Sequence, residues 1–217
     1  MRFRPPTPRE KAEALHDLKI EGGPVILFVG HLQERKGVDL LIEAFRDVLG
    51  TFPDAHLVIV GGPIESVDHS YVAQIHRSIA EYEMDDAVHM VGADDEVVPY
   101  MFAADIFCLT SHREGMPNVL LEAMACGVAC IAPASAGGDE LLHGSIGVVP
   151  ESNGPADIGE AIVSLLSDPG RRRALSEAAL ARVRAEYQPK LIASTYEELW
   201  CPVLDSPDAG GVDRPVS

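Results

Sequence analysis

Aromatic residues are scarce, 6% of 217 positions with a single tryptophan. A core built largely without them is packed from Val, Ile, Leu and Ala, the palette of parallel strands covered by helices on both faces. Positive charge is scarce as well, 17 Lys and Arg against 34 Asp and Glu, for a net charge of −17. That field repels nucleic acid and anionic lipid headgroups, so neither is expected as a partner of the bulk surface. It also opposes an anionic nucleotide, and a site for one would need cations and helix N-termini placed locally. The only cysteines are Cys108, Cys126, Cys130 and Cys201. None stands in ligand spacing with a His or a second Cys pair, so they read as small buried thiols in a reducing, cytoplasmic compartment, with no metal. No apolar run approaches the ~20 residues of a membrane span. No apolar segment follows the first arginines (MRFRPPTPRE), so a signal peptide is not expected either.

What remains is ordinary globular composition, 47% hydrophobic and 24% charged, in a length that suits one good-sized α/β domain or two small ones. Strand-like and helix-like patterns alternate. Apolar runs at 24–30 (PVILFVG), 55–62 (AHLVIVGG), 87–92 (AVHMVG), 105–109 (DIFCL) and 127–132 (GVACIA) predict strands, and 146–149 predicts a last edge strand. Helices are predicted between them. Leu40, Leu41, Ala44, Phe45, Val48 and Leu49 recur at helical spacing. The run 117–126 has Pro near its first turn and Gly127 just past its end. Asp168 before Pro169 reads as an N-cap opening a helix to about Glu186, and a final helix is expected over 189–200. The expected fold is therefore α/β, a doubly wound parallel sheet of about six strands with right-handed crossovers. Residues 1–20 are expected to form a linker and a first helix, 21–200 a Rossmann-like domain, and 201–217 a disordered tail rich in Pro, Gly and Asp.

Sheets of this kind bind ligands in the crevice beyond the carboxyl ends of their strands. The loops at 30–37, 61–68, 92–96, 110–118 and 132–140 therefore matter most. The segment 110–127 (TSHREGMPNVLLEAMACG) is the most informative. A strand ends, a loop carries Glu114 and Gly115, and a helix begins near Pro117. The first-turn N–H groups of Asn118, Val119 and Leu120 are expected to lack intrahelical acceptors and to favour an anion. Glu114 and Glu122 bracket that helix start, and a carboxylate can accept from pairs of sugar hydroxyls. Either alone reads as a capping acid or a solvated helix residue. The loop 30–37 (GHLQERKG) adds Lys36, an ammonium that could meet a diphosphate. His16, His56, His69, His76, His89, His112 and His143 show no ligand spacing and read as structural or solvated.

These residues resemble glycosyltransferase family 4 of the GT-B fold. Gly30, Leu32, Lys36 and Gly37 match its G-R-L-x(3)-K-G loop. Glu114, Gly115, Pro117, Asn118, Glu122, Ala123, Ala125 and Gly127 match its E-G-x-P-N-x(3)-E-A-x-A-x-G segment. Gly61 and Gly62 resemble the loop after the family's second strand, and Gly137 and Gly138 with Glu140 a shortened Gly-Gly-x-x-E turn. The similarity runs from about Phe3 to Trp200. It implies retaining, metal-independent transfer from a nucleoside-diphosphate sugar, without a cofactor. It implies that Glu114 contacts the donor sugar, Glu122 binds ribose, N–H groups at Met116, Pro117's neighbours Asn118 and Val119, and Leu120 hold the diphosphate, and Lys36 neutralises the leaving group.

Two departures stand out. His31 replaces the family's Arg, and a neutral imidazole offers one donor where a guanidinium is always charged; Lys36 is expected to carry the charge, with Arg35 as a candidate to compensate. The chain opens on Met1-Arg2-Phe3-Arg4-Pro5, which resembles the family's inter-domain linker. The expected partner is therefore an N-terminal acceptor-binding domain, absent here or supplied by a separate subunit, and the chain alone is expected to bind donor but transfer poorly. The competing readings are a non-catalytic nucleotide-sugar-binding subunit and a sugar-nucleotide epimerase-like domain. A Rossmann dehydrogenase is disfavoured, because Gly30-His31-Leu32-Gln33 stands where G-x-G-x-x-G would follow the first strand.

Overall fold

Five of the apolar runs become parallel strands. A computed structural model describes residues 2–63 and 70–187. In it β1 (Val25–Val29), β2 (His56–Val60), β3 (Val88–Gly92), β4 (Ile106–Cys108) and β5 (Ala129–Ile131) form one sheet in the order β3-β2-β1-β4-β5. The chain thus builds outward from β1 to one edge and then returns to the other side of β1. Strand order reverses between β1 and β4, and the crevice at their carboxyl ends is the place where such sheets bind ligands.

Each strand is shorter than its apolar run because the runs continue into buried loop residues. The expected edge strand at 146–149 does not form, and the sheet has five strands, not six. Val148 makes only an isolated bridge to Ile131. A turn with positive φ at Gly144 and Ser145 precedes this stretch, and Pro150, which lacks an N–H, ends it. Too few residues are left between them to extend a ladder.

Eight helices cover the sheet among the described residues: α1 (Pro8–Asp17), α2 (Val38–Leu49), α3 (Ser70–Glu81), α4 (Val98–Ala103), α5 (Asn118–Ala125), α6 (Gly138–Leu141), α7 (Pro155–Ser167) and α8 (Pro169–Glu186). Thr7 and Glu10 close a capping box at the start of α1. Asp168 accepts from the Arg171 N–H at the start of α8, the expected N-cap. The expected helix at 189–200, the tail from 201, Cys201, His69 and part of the 61–68 loop lie outside the described residues.

Alternate strand residues point to opposite faces. Ile26, Phe28, Leu57, Ile59, Ile106 and Ile131 pack with α2, α3 and α7. Val25, Leu27, Val58, Phe107, Leu109 and Cys130 pack with α1, α4, α5 and α8. Both faces are dry, which is why the strands read as continuous apolar runs rather than alternating ones. Burying each such side chain stabilises the fold by about 1.5–3 kcal/mol. Cys108, Cys126 and Cys130 are buried free thiols within this core, and burial pushes Cys126 up to about 11 and Cys108 up to about 12. Asp105 fastens the opposite end of the sheet, accepting from the Val25 N–H and from Lys11, each at 2.9 Å.

His56 and His89, 33 residues apart, meet across β2 and β3 with ring nitrogens 3.0 Å apart. Burial lowers the pKa of both, the neighbouring His56 charge lowers His89 further, and a hydrogen bond from His56 to Gly22 only partly offsets this. The unfolded chain therefore binds protons that the folded pair resists. Stability is expected to be fully present above the ordinary histidine pKa of ~6.5 and to fall as pH drops below it. In urea titrations between pH 7.5 and 5.5, His89→Gln should flatten this decline relative to the parent chain; an unchanged slope would contradict the pairing.

Candidate functional site

Two loops emerge side by side because β1 and β4 are neighbours. The first turns through a 3-10 helix, Glu34–Lys36, which ends at Gly37 in the left-handed region (φ 63°). A Cβ on Gly37 would lie 2.4 Å from the Thr110 carbonyl oxygen of the second loop, so only glycine permits this approach. Two hydrogen bonds then lock the loops together, and a third holds the second loop to the chain just before α7. Thr110 Oγ1 donates to the Lys36 carbonyl at 2.9 Å, the His112 N–H to the Arg35 carbonyl at 2.9 Å, and Asn153 Nδ2 to the Thr110 carbonyl at 2.7 Å. Gly61 serves the same close packing, since a Cβ there would sit 1.9 Å from the Gly30 carbonyl oxygen. Gly62 accepts from the Leu32 N–H at 3.0 Å. Gly61 and Gly62 therefore shape the first loop from behind.

Across this junction Lys36 Nζ donates to Glu114 Oε1 at 2.6 Å, and Arg35 approaches Glu114 Oε2 at 3.3 Å. Lys36 and Glu114 are only 14% and 13% exposed, whereas Arg35 is 49% exposed. Burial pushes the Glu114 carboxyl up, but the Lys36 hydrogen bond, the nearby Ser111 hydroxyl and the charges of Lys36 and Arg35 hold it below its ordinary value. Ser111 is fully buried and lies outside good hydrogen-bond geometry to any partner.

Beyond the pair lies an open cavity of about 310 Å³, lined by Val29, Gly30, His31, Lys36, Glu114, Met116, Pro117, Asn118, Val119 and Glu122. It gathers most of the residues singled out from sequence. Gly115 sits in the connecting turn, and Leu120 is buried in the core beneath it. Arg35 points instead to Glu114 and to the Arg113 carbonyl. Pro117 caps α5 and packs on Gly137, while Ser135 accepts from the Glu114 N–H, so the loop after β5 supports the turn from below.

The first turn of α5 is tighter than expected. The Asn118 N–H is taken by Met116 at 3.0 Å and the Leu120 N–H by Pro117 at 2.9 Å. Among the described residues the Val119 N–H has no protein acceptor, and of the first-turn donors it is the one left for an anion. Glu122, one turn on, lines the cavity and has no hydrogen-bond partner among the described residues. Burial raises its pKa, opposed by the charge of Arg2. Met116, 54% exposed, forms the apolar lip.

A cation–carboxylate pair beside a helix N-terminus, in a cleft at the sheet's switch point, can meet an anion and a polyhydroxyl group together. Comparison with known proteins decides the family. Residues 10–182 match the description "Glycosyl transferases group 1". The chain belongs to that family.

Among its group 1 relatives, a GDP-mannose-dependent monoacylated alpha-(1-6)-phosphatidylinositol monomannoside mannosyltransferase from Corynebacterium glutamicum is 34% identical over 200 residues, 86% of this chain and 49% of the relative. A D-inositol 3-phosphate glycosyltransferase from Acidothermus cellulolyticus is 35% identical over 73% of this chain and 37% of the relative. The chain thus spans about half the length of the curated relatives it matches or less. Among solved structures, Anabaena HepE in complex with UDP-glucose superposes with a TM-score of 0.86 at 20% identity, over 93% of this chain and 54% of HepE; that likeness shows the shared fold, the Rossmann-like half of GT-B. The C-terminal domain of a group 1 protein (LpcC) from Francisella tularensis is 26% identical with a TM-score of 0.78, covering 86% of this chain and 96% of that domain. Among the described residues, no helix is long and apolar enough to cross a membrane.

The unpartnered Glu122 carboxylate has a stability consequence. Its raised pKa means that the charged form is disfavoured in the folded state, so above that pKa it detracts from stability. Glu122→Gln should raise the thermal midpoint of the unliganded chain by roughly 1–3 °C near neutral pH, read by calorimetry; a lowered midpoint would show that Glu122 supports the empty fold.

Proposed function

We propose that this chain is the C-terminal, donor-binding half of a family 4 retaining glycosyltransferase that uses a nucleoside-diphosphate sugar. The observation that carries the reading is the Lys36–Glu114 pair at 2.6 Å, set in the same cavity as the free Val119 N–H and Glu122. Lys36 and the Val119 N–H meet the diphosphate, where negative charge grows as the glycosidic bond to phosphate breaks. Positive charge already fixed at that point stabilises the transition state more than the ground state. Glu114 accepts from the sugar's hydroxyls and Glu122 from the ribose. His31, on the cavity wall, gives a polar contact and not the main charge. Gly61 and Gly62 act on the donor through the loop they hold.

The mannosyltransferase relative uses GDP-mannose by its name and HepE is complexed with UDP-glucose, which supports a sugar nucleotide as ligand and leaves the base open. The chain's span of about half its relatives supports a second domain that supplies the acceptor, joined in one chain or as a separate subunit. On its own the chain binds donor and transfers weakly, with no metal or cofactor required.

A calorimetric titration with UDP, GDP and ADP and their glucose or mannose conjugates tests this. At least one diphosphate should bind, Lys36→Ala should weaken it about tenfold or more, and His31→Ala should weaken it less. Absence of binding by every ligand, or affinity that survives Lys36→Ala and collapses in His31→Ala, would contradict the proposal.

A further inference from the structure

Glu114 carries two cations, one on each oxygen. Lys36 Nζ holds Oε1 at 2.6 Å and Arg35 Nη1 holds Oε2 at 3.3 Å. The two are anchored differently. Lys36 lines the cavity, and its ammonium sits on a four-carbon stem with rotatable bonds. Arg35 comes from outside the cavity, and its Nη1 also donates to the Arg113 carbonyl at 3.0 Å. Its own carbonyl accepts from the His112 N–H at 2.9 Å. Arg35 is therefore tied to residues 112–114 at both its backbone and its guanidinium.

A diphosphate that draws Lys36 toward itself removes the shorter of Glu114's two partners. A largely buried carboxylate left without a counter-ion is costly and would turn toward water or take up a proton. We propose that Arg35 is a positioning residue that retains Glu114 Oε2 when Lys36 leaves for the diphosphate, so that Oε1 is released facing the donor sugar. The inference rests on the donor-site reading above. It separates two neighbouring cations by role. Lys36 answers to the phosphate, and Arg35 answers to the sugar through Glu114. Arg35 thereby takes no direct part in replacing the phosphate grip that His31 lacks.

The separation is measurable as a difference between two ligands, which a loss of folding would not produce. Dissociation constants for UDP against UDP-glucose, GDP against GDP-mannose and ADP against ADP-glucose are compared in the parent chain, Arg35→Ala and Arg35→Lys. Arg35→Ala should leave the diphosphate constant within about twofold and weaken the sugar conjugate about three- to fivefold, the upper part of the range of a half-exposed ion pair. Arg35→Lys, which can restore one of the two hydrogen bonds, should recover part of the loss. Equal weakening of both ligands would make Arg35 a phosphate contact and overturn the proposal, as would no change in either. Failure of the parent chain to bind UDP, GDP, ADP or any of their sugar conjugates would instead sink the donor-site reading and this inference with it. Binding by the parent without a selective Arg35 effect sinks the inference alone.

Discussion

The Lys36–Glu114 ion pair is the contact around which the cleft is organised. It joins two loops that leave different strands, 78 residues apart in sequence, and the sheet order β3-β2-β1-β4-β5 makes those strands neighbours. Everything near the pair serves to bring it together. Gly37 admits the Thr110 carbonyl, Thr110 and His112 bond back to the first loop, and Asn153 steadies Thr110 from the start of α7. Removing Glu114 would leave the Lys36 ammonium without its counter-ion in a poorly solvated place, a penalty that exceeds what the pair itself contributes to stability, whereas removing Lys36 leaves Glu114 still paired with Arg35.

An acidic protein that handles an anion must confine its positive charge. With a net charge of −17, long-range attraction cannot recruit the ligand. Lys36 brings positive charge to the cleft locally, and Glu114 pairs with it there. Glu122 has no such partner among the described residues and is a half-buried carboxylate lining the cavity. The site thus holds one satisfied and one unsatisfied acid. Active sites commonly keep unfavourable groups of this kind, at a cost to the stability of the empty fold.

Much of this was legible in the sequence, for identifiable reasons. Strands buried on both faces leave unbroken apolar runs, and β1, β2 and β4 show them plainly. The segment from Glu114 to Gly127 was legible because turn, helix start and carboxylates lie within one stretch of chain. Features that depend on tertiary contact were not. The stretch 146–149 is apolar enough for a strand, yet the Gly144–Ser145 turn and Pro150 confine it to one bridge. The direction of Arg35 depends on a carboxylate 79 residues away. The first-turn donors of α5 read as a set of three in the sequence, and local bonds from Asn118 to Met116 and from Leu120 to Pro117 leave only Val119 of the three. His56 and His89 carry no shared motif, and only the β2–β3 register brings them together.

The claim that the Lys36–Glu114 pair is one half of a donor site is tested most directly by a crystal structure of the chain with a bound nucleoside diphosphate. The account predicts the diphosphate within hydrogen-bond distance of Lys36 Nζ and the Val119 N–H, with Lys36 drawn off Glu114 Oε1 and Arg35 still on Oε2. A nucleotide bound elsewhere, with the 2.6 Å Lys36–Glu114 contact intact, would contradict it.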